Sequence, residues 1–425
     1  MAIVECELLG GECSYWGCIP SKTLVRPGEA LQAAREAPGA AEALDGGRVD
    51  PAAVFAWRDF MVSDYGDAGQ VAWAQGAGIE ILRGAGRLDG PGRVVVGDAT
   101  YRAREVVIAT GSEAVVPPIP GLRALEGVWT NREATALREV PRRLLILGGG
   151  PVGVELGQAV ARMGAEVAIV EGMDRLLARE PVSLGEALAD ALRADGVELY
   201  LGRHATAASR AGGDFVLELA DGAVLRGDRL LVATGRRPRV DELGLETVGI
   251  EAGRGGIRVD ARMRAGDGVW AIGDVTGIWP LTYVGKYQGR VAAANILGRA
   301  READYAAVPR VVFTDPQVAA VGEPDGAVTA TIPLAEVPRT ATYTRAYDTR
   351  PGFMTLVSDG ERLTGAYAIG PEAGEWLQQA TLAIRARVPL ATLGDVIQPF
   401  PTFSEAFLHA LLELEARTPA PVRAS

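Results

Sequence analysis

A strand–turn–helix–strand pattern near the middle of the chain constrains the fold more than any other feature. The segment RLLILGGGPVGVELGQAVARMGAEVAIVE, residues 143–171, places an apolar strand directly before Gly148, Gly150 and Gly153. The first glycine permits a tight turn, the second lets backbone N–H groups approach a pyrophosphate, and the third lets the helix pack against the strand. Glu171 ends the second strand, where a carboxylate accepts both ribose hydroxyls and repels a 2′-phosphate.

This pattern predicts a site for NAD(H), with NADPH less favoured. A helix N-terminus favours the negative charge of the pyrophosphate. A glycine-rich turn with a purely structural role is the alternative. The residues predicted to bind the dinucleotide are Gly148, Gly149, Gly150, Pro151, Val152, Gly153, Val154, Glu155 and Glu171.

Two short sequences occur twice in the chain. Residues 2–5 and residues 168–171 both read AIVE, and VVIATGS at 106–112 is similar to LLVATGR at 230–236. Two pairs of similar segments in the same order are typical of a duplicated structural unit. The chain is therefore predicted to be an α/β protein with two Rossmann-like dinucleotide-binding domains.

The first copy lacks the part that precedes AIVE in the second copy. By analogy with residues 143–167, a βα unit carrying a central strand and phosphate-binding glycines is expected before residue 2. Either Met1 is a mis-called start within a longer reading frame, or the gene is truncated and its product is damaged. We favour the mis-called start, because loss of a central parallel strand exposes unpaired backbone groups.

Two of the three cysteines lie five residues apart, in GGECSYWGCIPSK at 10–22. Positions five apart on a regular helix cannot form a disulfide. We therefore expect Cys13 in a turn and Cys18 near the start of a helix with Pro20 in its first turn, where a thiol pKa is lowered. Two alternatives are that the cysteines form half of a zinc site or that they are inert. No second Cys or His cluster completes a metal site, so no metal is predicted. Cys6 is expected to pack passively.

Length and charge limit the class of protein. A chain of 425 residues predicts two or three domains. The net charge of −11, without a basic cluster, argues against nucleic acid and anionic membranes as partners. No run of about 18 apolar residues predicts a membrane span, and few cysteines favour a cytoplasmic location. Lys22 and Lys286 are the only lysines.

The cysteine segment resembles the active-site signature of the class I pyridine nucleotide–disulfide oxidoreductases, which include dihydrolipoamide dehydrogenase and mercuric reductase. The resemblance extends over nearly the whole chain. It includes ATGS at 109–112, the glycine turn at 148–153, ATGRRP at 233–238, AIGDVTG at 271–277, VPRVVFTDPQVAAVG at 308–322 and PTFSEA at 401–406.

The resemblance implies electron transfer from NAD(P)H through FAD to a Cys13–Cys18 disulfide and then to a small acceptor. Cys18 would lie against the flavin and Cys13 would exchange with substrate, while Lys22 would pair with Glu155 near the flavin. The implied FAD-binding residues are Glu5, Lys22, Gly86, Thr110, Gly111, Ser112 and Asp274, and Gly235 would lie near the nicotinamide nucleotide.

The resemblance also implies three domains and a homodimer. Residues 1–116 and 236–304 would form the FAD-binding domain, residues 117–235 the NAD-binding domain, and residues 305–425 an α+β dimerisation domain. Such dimer interfaces are large and apolar.

The C-terminal segment departs from the family. Disulfide reductases of this family carry His-x-His-Pro-Thr, whose second histidine transfers protons, and here Phe400 stands in its place within QPFPT at 398–402. Glu405, which would orient that histidine and belongs to the implied catalytic set, is present. His409, one helical turn after Glu405, could share its face. His204 falls in a strand-like part of the NAD domain.

Three functions stay open at this point. The protein could reduce an acceptor that needs no histidine, such as a quinone or small electrophile; it could reduce disulfides with another proton donor; or it could be a non-catalytic dimeric remnant with impaired FAD binding. Without the histidine, ordinary disulfide turnover should be low, because general acid–base catalysis contributes about 10² to 10⁴-fold.

Overall fold

The computed structural model describes residues 1–344 and 352–417. Residues 345–351 and 418–425, both within the predicted dimerisation domain, lie outside the described residues. The helices are α1 (Gly11–Tyr15), α2 (Cys18–Glu36), α3 (Ala40–Ala43), α4 (Pro51–Met61), α5 (Ala68–Gly76), α6 (Asn131–Thr135), α7 (Pro151–Arg162), α8 (Val182–Ala194), α9 (Thr282–Ile296), α10 (Pro338–Tyr343), α11 (Ala373–Trp376), α12 (Gln378–Ala386), α13 (Leu390–Gly394) and α14 (Glu405–Arg417).

The strands lie singly or in runs between these helices. They are β1 (Ala2–Glu5), β2 (Glu80–Arg83), β3 (Gly86–Leu88), β4 (Arg93–Val96), β5 (Ala99–Arg102), β6 (Val106–Ile108), β7 (Ser112–Ala114), β8 (Arg143–Leu147), β9 (Glu166–Glu171), β10 (Glu198–Leu201), β11 (Ala205–Ala211), β12 (Asp214–Leu219), β13 (Val224–Gly227), β14 (Arg229–Val232), β15 (Arg236–Pro238), β16 (Ala252–Gly253), β17 (Gly256–Ile257), β18 (Arg264–Gly266), β19 (Val269–Ala271), β20 (Arg310–Val312), β21 (Gln317–Gly322), β22 (Val328–Pro333), β23 (Phe353–Ser358) and β24 (Leu363–Gly370).

The chain divides into two compact units. One contains residues 1–21, 56–116 and 234–304, and the other contains residues 22–55, 117–233 and those from 305 onward. Residues 22–55 thus group with the second unit, whereas the sequence assigned them to the FAD-binding domain. The three-domain division stays a prediction, because these units are defined by packing and not by ligand binding.

The second unit contains the parallel sheet that the glycine pattern predicts. Its strand order is β10-β9-β8-β14, and β8 pairs with β9 in parallel from Arg143 opposite Glu166. Most side chains of β8 and β9 are buried, because α7 and its neighbours cover a continuous apolar core. The predicted strand, helix and second strand are confirmed.

The same unit also contains a five-stranded antiparallel sheet, in the order β20-β21-β24-β23-β22. Helix α14 packs on β22 and β23 and buries Phe407, Ala410 and Leu414 at helical spacing. This combination confirms the predicted α+β character of the C-terminal region.

The first unit repeats the parallel pairing of the second. Strand β1 pairs with β2 from Ala2 opposite Glu80, and β9 pairs with β10 from Ala168 opposite Glu198, so the two AIVE strands have the same register. Strand β6 corresponds to β14 in the repeat. Strand β14 pairs with β8, whereas β6 pairs with β19. In the second unit β8 lies between β9 and β14; within residues 1–344 no strand takes that place between β1 and β6.

The expectation of a preceding βα unit therefore stays a prediction. The DNA sequence upstream of the Met1 codon tests it directly: an in-frame strand followed by Gly-x-Gly-x-x-Gly would support it, and an in-frame stop codon would contradict it.

Candidate active site

The glycine turn after β8 has the geometry of a dinucleotide site. Gly150 caps α7 without a side chain, Pro151 follows it, and no acidic residue occupies the first helical turn. The first-turn N–H groups of α7 can therefore bind an anion. Glu171 lies beside this turn, because its carboxylate accepts hydrogen bonds from the backbone N–H of Gly149 at 2.6 Å and of Met173 at 2.8 Å. This donor set fits NAD(H).

The glycines of this turn serve different purposes. A Cβ atom on Gly153 would lie 2.1 Å from the carbonyl oxygen of Gly148, so only glycine lets α7 approach β8 this closely. A Cβ atom on Gly150 would meet no atom within 4 Å. The space next to Gly150 is thus available to a ligand, whereas the space at Gly153 is filled by the protein.

We expect Gly153→Ala to destabilise the fold by about 1–3 kcal/mol, because α7 must shift away from β8. Gly150→Ala should leave the melting temperature unchanged and raise the KM for NADH, because its methyl group takes the space where the pyrophosphate approaches. Thermal unfolding and NADH kinetics on both variants check this pair. Equal melting temperatures for the two variants would contradict it.

The first unit carries the counterpart of Glu171. At the end of β1 the Glu5 carboxylate accepts a hydrogen bond from the backbone N–H of Glu7 at 2.8 Å, two residues on, as Glu171 does from Met173. The two AIVE segments thus share strand register and the orientation of the acidic side chain. The Glu5 carboxylate fits the ribose of a second dinucleotide.

Ser112 and Asp274 are joined in the first unit. The Ser112 hydroxyl donates to Asp274 at 2.6 Å and accepts from the Arg236 Nε at 2.8 Å, while Arg236 also contacts Glu12 at 3.3 Å. Strands β7 and β15, which follow the two ATG sequences, pair with each other and hold this network. The buried Ser112 and the charges beside it provide donors and an acceptor of the kind that the polar chain of FAD needs.

The other predicted FAD residues are placed as follows. The Thr110 hydroxyl donates to the carbonyl of Arg239 at 2.7 Å, and Gly111 has a φ of 74° with open space where a side chain would start. Gly235 has a φ of 123° and the same open space. For Gly86 the structure supplies a packing reason as well, since a Cβ atom would lie 3.0 Å from the Val4 side chain.

Cys13 lies in the short helix α1 and not in a turn, so that expectation was wrong. The turn is formed by residues 16 and 17: a Cβ atom on Gly17 would lie 3.1 Å from the Cα of Cys13, and glycine lets the chain fold back here. Cys18 is the first residue of α2, as predicted. The expectation for Cys6 was also wrong, because Cys6 is exposed after β1.

The two cysteines are present as adjacent thiols. A hydrogen bond with Cys18, followed by burial, raises the pKa of the Cys13 thiol. The Cys18 Sγ lies 3.1 Å from the hydroxyl of Thr282, the first residue of α9. The hydrogen bond between the two thiols and burial thus favour the protonated form of Cys13, while Cys18 lies at the N-terminus of α2.

Lys22 and Glu155 form the ion pair that the family resemblance implies. The Lys22 Nζ lies 2.6 Å from Glu155, whose side chain is only 6% exposed, so the charge of each is compensated by the other. The second carboxylate oxygen accepts a hydrogen bond from the backbone N–H of Phe313 at 2.9 Å, and the ammonium group lies 4.7 Å from the centre of the Phe313 ring. Lys22 is thus fixed in position while a third of its side chain stays accessible.

The structure also places the residues around position 400, where this chain has phenylalanine and not histidine. The Phe400 side chain is exposed, and Glu405 is buried at the start of α14. His409 lies one turn later on α14, as expected. His204 precedes β11 and does not lie within a strand; its ring packs against Gly172, where a Cβ atom would come within 2.6 Å.

The sequence did not indicate several residues of these clusters, namely Thr282, Arg236, Glu12 and Phe313. Arg236 and Phe313 lie inside motifs that carry the resemblance, so those motifs are the signal that could have found them. Thr282 lies 264 positions from Cys18, and no local pattern connects the two.

Comparison with known proteins decides the family. Residues 1–289 match the pyridine nucleotide-disulphide oxidoreductase family, and residues 308–411 match the dimerisation domain of that family. The chain belongs to this family. It is 36% identical to a mercuric reductase of Acidithiobacillus ferrooxidans, over 98% of this chain and 78% of that protein. It is 35% identical to a dihydrolipoyl dehydrogenase of Thermus scotoductus, over 96% of this chain and 90% of that protein.

Solved structures agree with this membership. The HOCl-induced flavoprotein disulfide reductase RclA from Escherichia coli, solved as a Cu(II) complex, superposes with a TM-score of 0.83 at 28% identity, over 97% of this chain and 93% of that one. LpdA from Mycobacterium tuberculosis superposes with a TM-score of 0.85 at 26% identity, over the same shares.

Membership fixes the class of reaction and the cofactors. The chain is an FAD-dependent NAD(P)H oxidoreductase of the disulfide reductase type, and its dimerisation domain supports a homodimer. In the described part of the chain no helix is both long and apolar enough to cross a membrane.

Proposed function

We propose that this protein uses NADH to reduce small acceptors that need no proton from residue 400, through a redox pair formed by Cys13 and Cys18. FAD bound to this protein would supply the chemistry of accepting a hydride and handing on an electron pair. The carrying observation is the juxtaposition of the two thiols, whose hydrogen bond raises the pKa of the Cys13 thiol.

The proposed cycle at the sulfurs has a reductive step and an exchange step. Two electrons and one proton break the S–S bond and leave a Cys13 thiol and a Cys18 thiolate. The Cys13 sulfur then attacks a small disulfide acceptor: a mixed disulfide with Cys13 forms, the acceptor S–S bond breaks, and the first thiolate leaves and takes up, through solvent, the proton that Cys13 gives up. The Cys18 thiolate next attacks the Cys13 sulfur, which restores the Cys13–Cys18 bond and expels the second half of the acceptor as a thiolate.

The side chains around the cofactors have distinct proposed roles. Lys22, held by Glu155, would place a positive charge beside the flavin, where it favours the electron-rich reduced form. Glu5 and Asp274 would hold FAD together with Gly86, Thr110, Gly111 and Ser112. Residues 148–155 and Glu171 would hold NADH, with Gly235 near its nicotinamide end. The three-domain division predicted from the sequence and a cytoplasmic location belong to the same proposal.

The acceptor class follows from Phe400. A phenylalanine cannot protonate a departing thiolate, so an aliphatic disulfide with a basic leaving thiolate should react slowly. An aromatic disulfide leaves as a stable thiolate, because leaving-group ability increases as the thiol pKa falls. A quinone or a mercuric ion, the latter suggested by the name of one relative, likewise needs no proton from this position.

A panel of acceptors tests the proposal. With NADH and the intact protein, we expect turnover of an aromatic disulfide or a quinone to exceed that of lipoamide by about 10²-fold or more. Rapid turnover of lipoamide would favour the second candidate, a conventional disulfide reductase with another proton donor such as His409. A purified protein without flavin absorbance that oxidises no NADH would favour the non-catalytic remnant.

Glu171 should carry the preference for NADH. We expect Glu171→Ala to raise the KM for NADH by about tenfold or more, because hydrogen bonds to a charged group contribute about 1.5–3 kcal/mol, and to narrow the preference over NADPH. Glu166→Ala, an exposed position on the same strand, is the matched control. Unchanged KM values for both cofactors in Glu171→Ala would contradict this role.

A further inference from the structure

We propose that Thr282 stabilises the Cys18 thiolate of the reduced cysteine pair by donating its hydroxyl hydrogen bond to the sulfur. The Thr282 Oγ1 lies 3.1 Å from the Cys18 Sγ, within the range for a hydrogen bond that involves sulfur. When Cys18 is a thiolate, the sulfur has no proton to give, so the hydroxyl must be the donor.

The helical setting fixes the direction of this hydroxyl. Thr282 is the first residue of the 15-residue helix α9, and Cys18 is the first residue of the 19-residue helix α2. Two helix N-termini therefore meet at one sulfur, and each favours negative charge there. A β-branched threonine has few side-chain rotamers, so the hydroxyl keeps its position with little loss of entropy on bonding.

Cys13 completes the arrangement. Its hydrogen bond with Cys18 raises the pKa of the Cys13 thiol, while a hydrogen bond with Thr282 acts on it in the opposite direction and is weaker than burial. When the negative charge of the pair is on Cys18, the Cys13 thiol and the single hydroxyl proton of Thr282 are both within reach of that sulfur.

The helices that carry Cys13, Cys18 and Thr282 also carry charged side chains that are paired or exposed. On α1, Glu12 contacts Arg236, and one turn along α2, Lys22 is bound to Glu155. On α9, Lys286 is exposed one turn after Thr282. Removing the Thr282 hydroxyl leaves these charges in place, so a change in Cys18 titration can be assigned to the lost hydrogen bond.

The test uses a protein in which Cys18 is the only thiol. In a C6S/C13S background, where the hydroxyl introduced at position 13 can still donate a hydrogen bond, the rate of alkylation by iodoacetamide is measured as a function of pH for Thr282, T282V and T282S. We expect T282V to raise the midpoint of the alkylation profile by about one to two pH units, as expected for loss of a hydrogen bond to a charged group. T282S, which keeps the hydroxyl, should restore the original midpoint.

A profile for T282V that coincides with that of T282S would overturn the proposal. Because valine could disturb packing at this half-buried position, T282A serves as a second variant, and it too should raise the midpoint; circular dichroism checks that each variant is folded. The inference deepens the proposed function, since it concerns the same cysteine pair. The measurement needs neither FAD nor an acceptor, so its failure is distinguishable from failure of the electron-transfer proposal.

Discussion

Cys13→Ser protein should reduce an aromatic disulfide about 10³-fold more slowly than the unmodified protein, or worse, because the substitution removes the nucleophile that attacks the acceptor. NADH should still bleach bound flavin in this variant, since the proposed exchange thiol acts after that step. Turnover with NADH and rapid-mixing absorbance measure the two steps separately.

Cys6→Ser is the matched control for this experiment. Cys6 is an exposed thiol outside the proposed pair, so its replacement should leave disulfide turnover unchanged. Full activity of Cys13→Ser with a disulfide acceptor would contradict the proposed route. Quinone reduction that survives in Cys13→Ser would show that quinones take electrons before they reach the sulfurs.

Phe400→His should raise the turnover of lipoamide by about 10² to 10⁴-fold, the usual contribution of a positioned general acid. The side chain at position 400 is 71% exposed, so the substitution costs little stability. Glu405, buried five residues later, supplies the carboxylate that would orient the new imidazole. Steady-state rates with NADH and lipoamide check this gain.

Phe400→Asn is the control, because asparagine is polar but does not transfer protons near neutral pH. If Glu405 orients the imidazole, the gain in lipoamide turnover should be smaller in the Phe400→His/Glu405→Gln double variant than in Phe400→His. If Phe400→His and Phe400→Asn give the same lipoamide turnover, proton transfer at position 400 is not what limits this protein.

The sequence predicted the parts of the fold that local chemistry determines. Gly148, Gly150 and Gly153 stand at the spacing that a turn between a strand and a helix requires. Strand β8, helix α7 and strand β9 follow in the predicted order, and β9 ends at Glu171 as predicted. The AIVE repeat predicted a duplicated unit, and the shared register of β1 and β9 agrees with it. The strand–turn–helix pattern depends on contacts between residues that are close in sequence, whereas the register of β1 joins Ala2 to Glu80.

The site was less accessible to sequence reasoning. The Lys22–Glu155 pair joins residues 133 positions apart and came from family resemblance, not from spacing. The predicted position of Cys13 was wrong because the turn depends on Gly17. Without a side chain there, the chain can fold back between α1 and α2. Nothing in the sequence marked Thr282, because its role depends on which thiol lies beside α9 in the folded protein. Long-range pairing of this kind needs coordinates or a family pattern.

The central claim is that electrons from NADH pass through bound FAD to the Cys13–Cys18 pair. Anaerobic reductive titration of the purified protein tests it most directly, because it counts the electron pairs that each subunit accepts. A flavin and a disulfide together should take up two electron pairs per bound FAD, and Cys18→Ser protein should take up one. Identical uptake of one electron pair by both proteins, or a protein that holds no flavin at all, would contradict the account.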